Sequence, residues 1–187
     1  MPILGKQSDV HPNDLLSRPD VGGRSDSRWW AFYVLSRREK DFMRRLQALD
    51  VAFYAPLLLK RSRSPSGRMR TSQVPMFSGY VFVNGDEEAR RTALTTNCVS
   101  RWLDVPDGPQ LTHDLLQIHR LIAAGAPLTP EARLQPGQLV RIRRGPFAGL
   151  EGTIVKRHGE ARLLVAVRFL QQGASMQLED CEVEALG

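Results

Sequence analysis

Cysteine is scarce in this 187-residue chain: Cys98 and Cys181 stand far apart and make no CxxC pair. That excludes a disulfide framework and a paired-thiolate metal site, and both read as reduced thiols of a cytoplasmic protein. Long apolar runs are also missing. The longest nearly apolar stretch, "VAFYAPLLL" from Val51, has nine residues and contains Pro56, far short of the roughly 18 needed to cross a bilayer. No charged start precedes an apolar block, so no signal peptide is expected. The histidines, His11, His113, His119 and His158, pair with neither cysteine nor acids at metal-ligand spacing. No phosphate loop, nucleophile elbow or acid pair appears. The reading is a protein that is not an enzyme, with no cofactor and no metal.

Lysine is scarce as well. Only four of the 26 cations are lysine, against 20 acids. From Arg28 to Phe82 there are 11 basic residues and 3 acidic ones, whereas Glu179, Asp180, Glu182 and Glu184 make the C-terminus acidic. A local excess of positive charge invites a polyanion, most often nucleic acid.

Residues 1–27 are polar and hold Pro12, Pro19, Gly22 and Gly23 without a period; they read as a flexible tail. Order is expected from "RWWAFYVLS", a strand near Trp30–Leu35 with Trp30 and Phe32 as core. In "RREKDFMRRLQALD", Phe42, Met43, Leu46 and Leu49 share one side of a helix and Arg37, Lys40 and Arg44 the other. Two strands follow, "FYAPLLLK" and "RMRTSQVP", around the basic turn "RSRSPSG". "YVFVN" is a strand, "DEEARRTAL" a short helix with acids in its first turn, "CVSRWLDV" a strand. "THDLLQIHRLIAAG" is a helix capped by Thr112 and stopped at Gly125. The order β-α-β-β-β-α-β-α predicts an α+β domain with a mainly antiparallel sheet over 28–125. "APLTPEARLQP", with three prolines, predicts a linker over 126–135, and the Gly-punctuated short strands of 136–187 predict a small β-barrel.

Two stretches carry a resemblance. In "VRIRRGPFAGLEGTIV", Gly145-Pro146 makes a tight turn, Phe147 plugs a small core, and Gly149 and Gly152 permit a bend and close strand approach. This string resembles the KOW motif of NusG-type transcription factors. "WWAFYVLSRREKDFMRRL" and "MFSGYVFVN" resemble the first strand and helix, and the F-P-G-Y-V-F-V strand, of the NusG N-terminal domain. The resemblance runs from Trp29 to Leu186, in the family's order and spacing, and implies an SH3-like KOW barrel after the linker.

The resemblance implies a non-enzymatic elongation factor. Its N-terminal domain would bind RNA polymerase at the β′ clamp helices, across the DNA channel, and suppress pausing. Phe77, Tyr80 and Phe82 map to the strand that forms the clamp-helix patch, with at least one of them core and at least one exposed. Arg91, Thr92, Thr95 and Thr96 either meet the β gate loop or cap a helix and face water. Arg37, Lys40, Arg44 and the hairpin Lys60, Arg61, Arg63, Arg68 and Arg70 would face DNA in the elongation complex. Phe169 and Leu170 lie where the family meets Rho or a small-subunit ribosomal protein. Ser78 replaces the family's usual proline, and Gln171 and Gln172 stand where housekeeping members carry Gly and Arg. These departures favour a specialised RfaH-like antiterminator over the housekeeping role in elongation and Rho-dependent termination; a ribosome-associated KOW RNA-binding protein is the other alternative. RfaH stores its KOW domain as a helical hairpin, and "EARLLVAVRFLQQ" admits a helix, but the β-branched strands favour the barrel.

Overall fold

The computed structural model of the protein describes residues 7–19, 21, 27–157, 159–178 and 183–186. His158, Cys181, Glu179, Asp180 and Glu182 lie outside the described residues. The chain divides into two compact units, Met1–Pro109 and Gln110–Gly187.

In the first unit, β1 (Val10–His11), β2 (Arg28–Val34), β3 (Phe53–Tyr54), β6 (Tyr80–Gly85) and β7 (Val99–Asp104) form an antiparallel sheet in the order β1-β3-β6-β2-β7. Aromatic and β-branched residues fill β2 and β6, as a half-buried pleat favours. Helix α1 (Glu39–Ala48) lays Phe42, Met43 and Leu46, all fully buried, against Trp30, Phe32, Val34, Val81 and Val83. Trp30 and Phe32 are core as expected. Leu49 departs from the helical pattern: α1 ends at Ala48, and Leu49, at the C-cap, is 47% exposed. Arg37 departs too, because it precedes the helix, in the left-handed region at φ 63°. Helix α2 (Glu87–Leu94) is capped by Asp86, whose carboxylate accepts from Ala89 N at 2.8 Å.

The N-terminal stretch is not a patternless tail in its described part. Val10 and His11 pair with Tyr54 and Phe53, and Val10, Leu15, Leu16 and Val21 are buried. So few apolar residues show no period, and β3 supplies their register. "FYAPLLLK" divides into β3 and β4 (Leu57–Arg63) because Pro56 has no N–H to continue a ladder; its carbonyl instead accepts from Met76 N. β4 pairs with β5 (Met69–Pro75) as a separate two-stranded ribbon.

The second unit begins within helix α3 (Gly108–Ala123). Thr112 is not its N-cap, since the helix starts four residues earlier. Gly125, at φ 70°, does stop it: Ala126 N returns to Leu121 O. The proline-rich stretch read as a linker contains strand β8 (Thr129–Glu131), antiparallel to β12 (Gln172–Gln177). Pro130 is tolerated because β8 is the edge of its sheet, where one side needs no N–H. The remaining strands are β9 (Gln138–Ile142), β10 (Glu151–Arg157), β11 (Glu160–Val167) and β13 (Val183–Ala185), in the antiparallel order β13-β9-β10-β11-β12-β8. The helical alternative for "EARLLVAVRFLQQ" is not adopted: β11 buries Leu163, Leu164, Val165 and Val167. From Gln110 onward α3 belongs to the same compact unit as these strands.

Candidate functional site

Tyr80 opens β6, just after Gly79, whose φ of 81° turns the chain into the strand. Ser78 is exposed in that turn. The register sets Tyr80 directly opposite Tyr33 of β2, and Tyr33 opposite Arg101 of β7. A row therefore crosses three strands. The tyrosine rings meet edge to face at 5.2 Å between centroids, and the Arg101 guanidinium lies 5.0 Å from the Tyr33 ring. Tyr33 is 36% exposed and Tyr80 half-buried. A cleft of about 680 Å³ opens beside them, lined among others by Leu35, Arg37, Lys40, Pro75 and Gly79. It joins apolar walls to two cations, and its floor is fixed where Gly79 N donates to the buried Glu39 carboxylate at 3.0 Å.

The three predicted aromatics divide. Phe82 is fully buried and Phe77 is 2% exposed, their rings edge to face at 6.5 Å; both are core and neither presents a surface. Only Tyr80 of the three reaches solvent. The second exposed ring, Tyr33, sits in an apolar run that reads as uniform core. Its one signal was strand alternation counted from Phe32, which turns Tyr33 to the face of Tyr80.

Of the predicted loop residues, Arg91 is exposed and pairs loosely with Glu87 at 3.5 Å. Thr92 is half-buried, and the exposed Thr95 donates its hydroxyl to Thr92 O at 2.7 Å. Thr96 is buried, donating to Ala93 O at 2.7 Å and accepting from Cys98 N at 3.4 Å. These two hydroxyls close the end of α2, and Thr96 is unavailable to a partner. Beside them Arg90, pinned by Glu87, stacks 4.3 Å from Trp102, which meets Trp30 edge to face. The hydrogen bond from Arg90 outweighs desolvation and holds the Glu87 carboxyl below the usual range.

The expected basic face of α1 also divides. Arg37 and Lys40 line the cleft, while Arg44 shares Asp41 with Arg38 and Arg45 at 3.2–3.7 Å. Desolvation pushes the Asp41 carboxyl up, but Arg45, the Cys98 thiol and Arg44 together hold it below its ordinary value. The hairpin is different. Lys60, Arg61, Arg63, Arg68 and Arg70 are all exposed, and among the described residues none of them has a carboxylate within ion-pair distance.

In the second unit, Gly145 and Gly149 hold φ of 92° and 83° in the turn between β9 and β10. Gly149 N donates to Ile142 O, and Ile142 N to Leu150 O. The buried plug is Leu150; Pro146 is exposed and Phe147 only half-buried. Gly152 is a packing glycine, since a Cβ there would meet Leu164 O at 2.7 Å. Phe169 and Leu170 form a half-buried single turn, Arg168–Leu170, ended by Gln171 in the left-handed region at φ 53°. That turn is held by residues the sequence did not single out. Asp114 of α3 accepts from Arg168 N and Nη1, both at 2.8 Å, while Gln117 of the same helix accepts at Oε1 from Glu151 N at the start of β10, at 2.6 Å. No group of three metal-ligating side chains exists among the described residues, and no described helix is long and apolar enough to cross a membrane.

Comparison with known proteins bears on the whole arrangement. Residues 27–116 match the family model of the transcription termination factor NusG, and residues 136–165 match the KOW motif. The transcription termination/antitermination protein NusG of Pseudomonas aeruginosa is 25% identical over 173 residues, 84% of this chain and 97% of that protein. The protein of the same name from Vibrio parahaemolyticus is 27% identical over 128 residues, 65% of this chain and 70% of the relative. A chain in the crystal structure of the MjSpt4:Spt5 complex, conformation B, aligns over 85% of this chain and 98% of its own, at 16% identity and a TM-score of 0.26. With both family models matched in order, on the sheet and strands described above, the chain carries a NusG N-terminal domain followed by a KOW motif.

Proposed function

We propose that this protein is a cytoplasmic transcription elongation factor that docks on RNA polymerase through the Tyr33–Tyr80 surface and suppresses pausing. The observation that carries the reading is the row Arg101–Tyr33–Tyr80 beside an amphipathic cleft. Exposed aromatic rings and arginine are the side chains that anchor protein interfaces, and Gly79 and the register hold these two in place. The family's contact is with the β′ clamp helices, and two apolar-faced helices suit such a surface. Arg91, Thr92 and Thr95 stand at the end of α2 as candidates for the β gate loop. Phe169 and Leu170 would meet Rho or a small-subunit ribosomal protein.

An antitermination role on a subset of operons is favoured over the housekeeping role by one feature. Gln171 occupies a left-handed position that glycine would fill without strain, so the partner-facing turn departs from the housekeeping pattern.

The test is retention of core RNA polymerase by the wild-type chain and by Tyr33→Ala plus Tyr80→Ala, with folding followed by circular dichroism. Retention by wild type and loss by the folded double variant is the expected result. Equal retention by both sinks the docking surface. Read-through raised on a few operons supports the specialised role, and occupancy of all elongating polymerase supports the housekeeping one.

A further inference from the structure

Among the described strands the hairpin β4–β5 pairs with no other, in seven-residue arms joined at residues 64–68. Its residues 57–75 hold five cations, no acid and no aromatic side chain. The register sorts them onto two faces. Lys60 lies opposite Ser72 and Ser62 opposite Arg70 on one face; Arg61 lies opposite Thr71 and Arg63 opposite Met69 on the other. The second face also carries Leu59, so that Leu59 and Met69, 68% and 60% exposed, flank the two arginines. Aggregation of such a ribbon is held off by its charge, but charge alone does not require apolar and basic groups on the same face.

We infer that the β4–β5 ribbon binds double-stranded DNA by lying in the major groove, with the Leu59–Arg61–Arg63–Met69 face toward the base edges. The inference rests on the reading that the hairpin faces nucleic acid, and adds which form and which groove. The arms reach about 23 Å, roughly seven nucleotides along a strand. A two-stranded ribbon fits the major groove, about 12 Å wide, and not the minor groove of about 6 Å. The major groove of duplex RNA is too narrow for it. Single-strand binders stack bases on aromatic side chains, and this hairpin has none. Arginine reads guanine edges bidentately, and apolar groups meet thymine methyls. Lys60 and Arg70, on the outer face, and Arg68 at the tip reach the phosphates.

The experiment is fluorescence anisotropy of the full chain with duplex DNA, the same sequence as single-stranded DNA, and duplex RNA, over a salt series. Duplex DNA should bind most tightly. Lys60→Ala with Arg70→Ala, which removes two phosphate contacts, should lower the magnitude of its log–log salt slope by about 1.8, whereas Arg61→Ala with Arg63→Ala should weaken binding at least tenfold through lost base-edge contacts. Arg61→Ala with Arg63→Ala should also abolish guanine N7 protection from dimethyl sulfate, which Lys60→Ala with Arg70→Ala should keep. Equal or tighter binding of single-stranded DNA overturns the groove proposal and leaves the nucleic-acid face standing. Absence of binding to all three, or no change on removing both arginines, overturns the proposal and the nucleic-acid reading of the hairpin together.

Discussion

The carboxylate of Asp114 grips Arg168 twice, accepting from its backbone N–H and from its guanidinium, both at 2.8 Å, while 99% of its own side chain is hidden. Burial raises its pKa above the ordinary carboxylate value, and the hydrogen bond from Arg168 N, the guanidinium and Gln110 offset that only in part. A carboxyl with a raised folded-state pKa holds its proton more tightly folded than unfolded. Its contribution to stability is therefore full below the unfolded pKa and is lost as pH rises through the folded one. Urea unfolding followed by NMR on the methyl groups of Leu163 and Val165 should show wild type gaining on Asp114→Asn as pH falls from 7 toward 4. The opposite trend would mean that the ion pair outweighs burial. Asp114→Ala should cost about 1–3 kcal/mol, because Arg168 N loses its acceptor.

Gly79 joins Tyr33 and the half-buried Tyr80 to the core. It holds φ of 81°, and a Cβ there would meet the Tyr33 ring at 2.9 Å. Gly79→Ala should therefore cost about 1–2 kcal/mol in left-handed strain and turn Tyr33 out of its contact with Tyr80. A thermal melt measures the first effect. The second appears as a loss of polymerase retention beyond what the fraction unfolded explains. A variant that melts normally and binds polymerase normally would remove Gly79 from the site.

The sequence resolved the elements whose physics is local. Phe42, Met43 and Leu46 repeat at helical spacing, Asp86 sits where an N-cap belongs, and the glycines of 145–152 punctuate β9 and β10, so α1, α2 and the KOW strands were legible. What failed depended on partners distant in sequence. Val10 and Thr129–Glu131 are strands only because β3 and β12 offer an edge. Phe82 and Tyr33 have similar aromatic neighbourhoods in sequence, and which one is buried is decided by what covers each point of the sheet. Asp114, Gln117 and Arg168 show no pattern until α3 and the strands of the second unit lie side by side. The charge on the hairpin was visible at once, but not its division into two faces, which needs the register.

Two glycines of the KOW motif should differ in cost. Gly149 has no atom near a built Cβ and suffers only its φ of 83°, whereas at Gly152 the Cβ would press on the Leu164 carbonyl and the Leu163 side chain. Gly149→Ala should cost about 1 kcal/mol. Gly152→Ala should cost more, since a backbone carbonyl in a ladder must shift, and an overpacked site typically costs about 1–3 kcal/mol. Calorimetry of both variants gives the order. A milder loss at Gly152 would mean that β10 and β11 separate there easily.

Thr96 tests whether the end of α2 is structure or interface. Its hydroxyl is buried between Ala93 O and Cys98 N, while that of Thr95 lies exposed one residue earlier. Thr96→Val keeps the shape and removes both bonds, so it should cost about 1 kcal/mol, a fall of roughly 4–8 °C in Tm for a domain of this size. Polymerase retention per folded molecule should stay at the wild-type level. Thr95→Val and Arg91→Ala should leave Tm within about 1–2 °C, because exposed substitutions away from such features change stability little, and of these three variants only they can weaken retention by lost contact. If Thr96→Val abolishes retention at an unchanged Tm, the hydroxyl serves a partner and the local bonds do not hold the helix end.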